Sequence, residues 1–339
     1  MNKRYNKIMP LITFTVFLIG AIHWASPSFA LDVYLVAKSY IKQMPDGSNV
    51  TMWGYAEDSD KNLGTDGGEI PTSPGPVITI PPGDTSLTIH IRNDLSVSTS
   101  IIIPGQPMSL SPEFFTDSKG RKRVRSFTHE TGPGATGTYT WNNVKEGSYI
   151  YQSGTHVAVQ VQMGLYGALK KDYASGEVYK GITYDNEVIL FYSEIDPALH
   201  NAVAMGTYGT KSYPSTINYR PKYFLINGEP YPDAKPVFDH SITNNETVLI
   251  RFMNAGLETH TPTILDAYFS VVSEDGNLYT YPREKYDVFL PAGKTKDVVW
   301  NPKAVKRYPV YDKRLRLTNA NVFPGGMLAY LEVQPNQIP

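Results

Sequence analysis

The chain reads as an all-β protein built from two β-sandwiches, and three observations predict this. Twenty-seven Gly and 26 Pro among 339 residues cut it into short segments. Between the cuts lie runs rich in Val, Ile, Tyr, Thr and Phe, the residues that fit a pleated, half-buried surface. Several runs alternate polar and apolar with period two, while helical periodicity is poor beyond the N-terminal apolar stretch. The length suits roughly two domains of about 150 residues each. A composition of 41% hydrophobic and 12% aromatic residues can fill two cores.

The first thirty residues have the order of an export signal. Lys3, Arg4 and Lys7 precede an apolar run from Ile8 to about Ile22, then Pro27 and the small-residue pattern Ser28-Phe29-Ala30. This predicts cleavage after Ala30. The run is short for a membrane span and no second one follows, so the mature chain is expected to be soluble, exported and free of the membrane, either periplasmic or extracellular. Cleavage leaves 28 basic residues against 32 acidic ones, without the basic excess of a nucleic-acid binder. Cysteine is absent. That excludes disulfides, iron–sulfur clusters, thiolate zinc sites, Cys nucleophiles and a blue-copper centre, which needs a thiolate.

Val77 to Ile80 followed by Pro81-Pro82-Gly83-Asp84 predicts a strand and a turn. In Thr85 to Asn93, Leu87, Ile89 and Ile91 share one face and Thr88, His90 and Arg92 the other, which predicts a half-buried strand. Tyr139-Thr140-Trp141 and Ser148 to Tyr151 flank a turn bearing Asn and Gly. Val157 to Leu169 reads as one long strand interrupted by Gly164 and Gly167. A Gly/Ser/Tyr-rich loop runs from about Asp196 to Pro221. The chain also echoes itself: Pro76 to Asn93 resembles Asp239 to Asn254, each an alternating strand closing on Asn after an Arg. Gly147-Ser148-Tyr149 and Gly325 to Tyr330 are candidates for equivalent late strands. The expected organisation is a sandwich over 31–172, a linker over 173–185 and a second sandwich over 186–339.

Pro74 to Asp84, followed by Ile89 to Leu95, resembles the first cupredoxin domain of the multicopper oxidases. So does Gly147 to His156 running into Val159 to Leu169. Tyr223 to Glu229, Arg251 to Thr261 and Glu274-Asp275-Gly276-Asn277 extend the resemblance through the second half. It implies two cupredoxin-like Greek-key β-sandwich domains and, from exported two-domain members, a homotrimer with metal sites between subunits. It also implies four His-x-His pairs for a trinuclear copper cluster and a Cys/His/Met site for electron entry. The implied positions of the first pair hold Ile102 and Pro104, and those of the second hold Gln152 and Gly154. The segment His260 to Thr263 keeps one His. Leu317 to Asn321 stands where a His-Cys-His segment is implied. No His-x-His occurs, and six His remain after cleavage, where the cluster alone needs eight.

Candidate residues follow from what is left. His156 and His260 sit closest to the implied ligand positions, so a reduced copper site on these two, with Met163 or Glu258, is one reading. His129 beside Glu130 could form an acid–base pair, and His90 is expected to face solvent. Lys119, Arg121, Lys122, Arg123 and Arg125 fall within seven residues around a Lys119-Gly120 turn. Such a run suits an acidic partner or a polyanion. The scattered Met residues suit core filling. Tyr279, Tyr281, Tyr286, Tyr308 and Tyr311 suit either an interface or cross-strand pairing. Function then divides three ways. The chain is an exported multicopper-oxidase-like binding or structural component with degenerate copper sites, a copper-binding oxidoreductase with a reduced His site, or a polyanion-binding module.

Overall fold

The computed structural model describes residues 30–64, 68–238 and 241–336. The segment before Ala30 that reads as an export signal, and His240, lie outside the described residues. The first half runs β1 (Ala30–Gln43), β2 (Asn49–Glu57), β3 (Gly75–Ile80), β4 (Ser86–Asn93), β5 (Glu113–Thr116), β6 (Lys122–Ser126), β7 (Thr136–Asn142), β8 (Gly147–Gln152), α1 (Val157–Met163) and β9 (Tyr166–Lys171). One sheet has the order β2-β1-β4-β7 and the facing one β3-β9-β8, while β5 and β6 form a separate hairpin. The alternation in β4 sets its register: Leu87, Ile89 and Ile91 are fully buried against Trp141, Tyr151 and Leu169.

A short ribbon, β10 (Glu177–Tyr179) and β11 (Ile182–Thr183), leads into the second half. There β12 (Asn186–Ile195), α2 (Pro197–Ala204), β13 (Tyr223–Ile226), β14 (Val237–Phe238), β15 (Ile242–Thr243), β16 (Val248–Asn254), β17 (Pro262–Ile264), β18 (Phe269–Glu274), β19 (Asn277–Lys285), β20 (Thr295–Trp300), β21 (Arg307–Asp312) and β22 (Leu328–Gln334) follow. One sheet has the order β13-β12-β16-β20-β18-β19, with β14 also on β12, and the other β15-β22-β21-β17.

The two halves share a topology. In each, the first long strand (β1, β12) pairs antiparallel with the next (β2, β13) and parallel with the strand that ends in Asn (β4, β16). That strand in turn pairs antiparallel with β7 or β20. The echoed asparagines explain themselves. Asn93 donates to the carbonyls of Val97 and Thr131 and accepts from the Leu95 N–H. Asn254 donates to the carbonyls of Glu258 and Leu290 and accepts from the Gly256 N–H. A buried carboxamide with donors and an acceptor closes each strand-end loop without stranding backbone groups. The late strands are a correction. Gly147-Ser148-Tyr149 opens β8, whose counterpart is β21, whereas Leu328–Tyr330 opens β22, the counterpart of β9.

Two other expectations are corrected. Val157 to Leu169 is a helix followed by a strand, not one strand. Gly164, at φ 119°, receives the helix end, and a Cβ there would lie 2.2 Å from the Trp53 carbonyl oxygen. The close approach demands glycine and ends the turn, so tertiary context overrides the β preference of the valines. The segment read as a loop from Asp196 contains α2. Asp196 caps it by accepting from the Ala198 N–H at 2.9 Å, and Pro197 takes the first helical position.

The halves meet over an apolar seam and a buried ionic cluster. Ile150, Val161, Tyr166 and Ala168 of the first half pack with Ile189, Phe191, Met253 and Ala255 of the second. Beside them lies Arg251, fully buried. Its Nε donates to Glu187 at 2.8 Å, its Nη2 to Asp172 at 2.6 Å and its Nη1 to Ser148 Oγ at 3.1 Å. Asp297 accepts from Tyr179 at 2.6 Å and from Ser273 at 2.8 Å, and Ser148 donates to it as well. Arg251→Met leaves Asp172 without its buried cation, while Glu187 keeps its ion pair with Lys170, so a loss of about 3 kcal/mol is expected in urea unfolding.

Candidate functional site

The fold brings together the two segments where the resemblance implies the first His-x-His pairs. Ile102 and Gln152 exchange both backbone hydrogen bonds, at 2.8 and 2.9 Å. The side chains there carry no imidazole. A Cβ on Gly154 would lie 2.8 Å from Ile102 Cγ2 and 2.9 Å from Ser100 Oγ, so the space is filled. Behind it, the hydroxyls of Ser100, Ser126 and Thr155 close a triangle with sides of 2.9 to 3.0 Å. Gln160 Oε1 accepts from Thr99 at 2.8 Å and Ser153 at 2.7 Å, and its Nε2 donates to the Ser98 carbonyl. All six side chains are buried. The network satisfies itself, as a buried polar cluster must.

His260 is fully buried in the second half. Its Nε2 lies 2.6 Å from Glu194 Oε1 and its Nδ1 2.9 Å from Asp312 Oδ2. Both ring nitrogens can donate at once only in the imidazolium form. Burial alone would push its pKa down, but hydrogen bonds to Asp312 and Glu194 outweigh that and hold it at about 9. Glu194 also accepts from the backbone N–H groups of Leu257 and Glu258. Its carboxylate would lie 2.0 Å from a Cβ on Gly256, so that position must be glycine. Asp312 accepts from the N–H groups of Thr261 and Arg314. Burial would raise its pKa, but the His260 bond and these backbone donors hold it below the ordinary carboxylate value.

His156 stands elsewhere. It enters α1 with a left-handed backbone (φ 41°), and its exposed ring tilts against Phe115. Partial burial pushes its pKa below the ordinary imidazole value, with Glu130 pulling up and Arg125 adding to the depression. Among the described residues His156 and His260 share no hydrogen-bond or ring-contact partner. Met163 is buried in the first core, and Glu258 is held by Arg316 and Arg314. The ring of His156 borders a cleft of about 510 Å³, lined by Trp53, Val97, Arg125, Glu130 and Val159 from the first half and by Val203 and Tyr208 from the second.

The other candidates resolve differently. Glu130 binds Arg125 rather than orienting His129, whose Nε2 meets the Thr138 carbonyl and whose ring stacks on Tyr139. His90 stacks on Tyr34 and reaches Asp32 and Thr138. The basic run forms the β5–β6 hairpin, and Asp117 gathers Arg121 and Arg123 at 2.8 and 3.2 Å. The backbone N–H of Arg121 leads the contacts that hold Asp117 at a pKa of about 2. Arg125 is taken by Glu130, so the hairpin presents less free charge than its sequence suggests. Of the tyrosines, Tyr281 is exposed and Tyr308 is buried against Trp300. Glu194 and Asp312 were not foreseen, although a Glu inside the apolar run Val188 to Ile195 is itself a signal of a buried partner.

The donor sets do not suit copper. Copper sites are built from thiolate, imidazole and thioether groups on convergent elements. Here the implied pair positions hold aliphatic, amide and glycine residues, and the one imidazole at an implied position has both nitrogens committed to carboxylates. Among the described residues no group of three or more His, Asp or Glu side chains could hold a metal ion. The imidazolium of His260 stabilises the fold fully below pH 6.5, and that stabilisation is lost as pH rises through about 9. The unfolding free energy obtained from urea titrations is therefore expected to fall across that window by an amount on the order of 3 kcal/mol. A His260→Gln variant should start lower and show a flatter profile over the same range.

Comparison with known proteins places this geometry. Two family models described as multicopper oxidase match residues 71–170 and 188–334. A blue copper oxidase from Nitrosomonas europaea superposes with a TM-score of 0.70 at 18% identity, over 90% of this chain and 86% of that one. The multicopper oxidase mgLAC gives 0.69 at 18% identity, over 92% and 88%. A copper nitrite reductase from Nitrosomonas europaea gives 0.63 at 17% identity, over 91% and 95%. No curated protein matches the chain by sequence. With two matched family models spanning most of its length and the same all-β sandwich architecture, the chain belongs to the multicopper oxidase family.

Proposed function

We propose that this chain is an exported member of the family that works by binding, without copper-dependent oxygen reduction. One observation carries the reading. The segments that should supply the first two ligand pairs lie side by side, yet Ile102, Pro104, Gln152 and Gly154 occupy them and the space is closed. The state of His260 supports it, since an imidazole that donates from both nitrogens has no lone pair for a metal. Function lives in the site and not in the scaffold. Residues 1–30 act in this proposal as the cleaved export signal, and the assembly is the homotrimer of two-domain relatives. The β5–β6 hairpin is the lesser binding surface, because of its five cations only Lys119 and Lys122 lack a carboxylate partner among the described residues.

The competing reading is a copper-binding oxidoreductase with a reduced site on His156 and His260. Metal content after copper loading and dialysis separates the two. The binding reading expects below roughly a tenth of a copper atom per chain and no thiolate-to-copper band. About one copper per chain, lost in His260→Ala and in His156→Ala, would instead establish the reduced site.

A further inference from the structure

From the open edge of the second sandwich we infer a binding site for an aromatic phosphate monoester, an assignment that rests on the binding reading above. The site is a cleft of about 510 Å³ beside β19, within the range of small-molecule sites. Strand β19 is the last of its sheet. In its pairing with β18, Arg283 stands opposite Val271 and Lys285 opposite Phe269. Directly opposed residues point to the same face, and Val271 and Phe269 belong to the core. Arg283 and Lys285 therefore lie on the core side of the sheet, yet both are exposed. The register jumps from Leu278 to Arg283, so Tyr279 to Pro282 form a bulge, a device that re-aims side chains. Tyr281 leaves this bulge 83% exposed, and Phe289, on the segment that borders the cleft's other side, is 65% exposed.

The charges of the lining decide the ligand class. Lys296 is committed, donating to Glu274 at 2.8 Å and to the Tyr279 hydroxyl at 3.2 Å. Asp287, the one carboxylate of the lining, is held by Lys313 at 2.8 Å. Arg283 and Lys285 have no hydrogen-bond or ion-pair partner among the described residues. They are two positions apart on one face of a strand, about 7 Å, so side chains of their length can converge on one anionic group. Two unpaired positive charges are balanced by a group carrying nearly two negative ones. A phosphate monoester does so near neutral pH, whereas a carboxylate leaves one cation over. The exposed rings of Tyr281 and Phe289 then receive an aromatic body by stacking. The basic hairpin differs on both counts, since Asp117 and Glu130 already occupy three of its arginines.

The test is calorimetric titration of the purified chain with 2-naphthyl phosphate, 2-naphthoate and inorganic phosphate, which separate the ring from the charge. 2-Naphthyl phosphate is expected to bind at least about tenfold more tightly than either of the others, through one more charge-assisted contact than the carboxylate and through stacking that inorganic phosphate lacks. Arg283→Gln should weaken 2-naphthyl phosphate at least about tenfold. Tyr281→Ala should weaken it about tenfold while leaving inorganic phosphate within about twofold. Both positions are exposed, so neither variant should lower the thermal midpoint. A chain carrying Lys119→Gln and Lys122→Gln should bind as the unaltered one does. Equal binding of the three ligands, no binding of 2-naphthyl phosphate, or binding lost in the hairpin variant and kept in Arg283→Gln overturns the assignment. A copper-free chain that ignores 2-naphthyl phosphate sinks only this assignment, whereas a chain that loads copper sinks the binding reading whatever the titration gives.

Discussion

The buried guanidinium of Arg251 is the interaction on which the arrangement of the two halves depends. It is fully enclosed and draws Glu187 of β12, Asp172 at the end of the first half and Ser148 of β8 onto one planar fork. A guanidinium suits this task because its donors point in fixed directions and its charge is not lost by deprotonation. Asp297 completes the cluster from β20, with Tyr179 of the connecting ribbon bound to it. Groups from both halves and from the ribbon between them thus share one charge balance. Separating the halves would expose or unpair all of them together, so the cleft above α1 keeps its two walls in register.

Much of the fold was legible because it rests on period and on local chemistry. The alternation of β4 named its buried face directly. The Arg-Asn strand ending, repeated at Asn93 and Asn254, marked two copies of one loop closure, since the same carboxamide bonds recur in both. What escaped was decided at a distance. The Val-rich segment after His156 becomes α1 because Gly164 must pass within reach of the Trp53 carbonyl, more than a hundred residues earlier in the chain. Neither strand propensity nor spacing encodes that approach.

The site was legible to a different degree. The positions without ligands could be read residue by residue, and the structure adds that they are neighbours in space. The partners of the histidines could not be read. Glu194 is 66 residues before His260 and Asp312 is 52 after it, so nothing local announces the triad. The adjacent pair His129-Glu130 pointed the other way. Sequence neighbours on an irregular segment diverge, and Glu130 turns to Arg125 instead. The pairing within the basic hairpin was hidden for a related reason: counting cations ignores Asp117, which sits at the turn where it can reach two arginines.

His260 shows how a single histidine can hold a position that metal chemistry would also use. Two carboxylates buried on opposite sides of one ring need a cation between them, because an unpaired buried charge is costly. Lysine would offer one point of charge, and arginine a fork too wide to donate in opposite directions from one small ring. Imidazolium supplies two donors about a ring's width apart, and each carboxylate is further held by backbone N–H groups. The proton that makes this bridge is the same one that removes the lone pair a copper ion would require. At this position the stability of the second sandwich and the affinity for a metal draw on opposite protonation states of one ring. The raised pKa, held at about 9, puts neutral pH on the side of the fold.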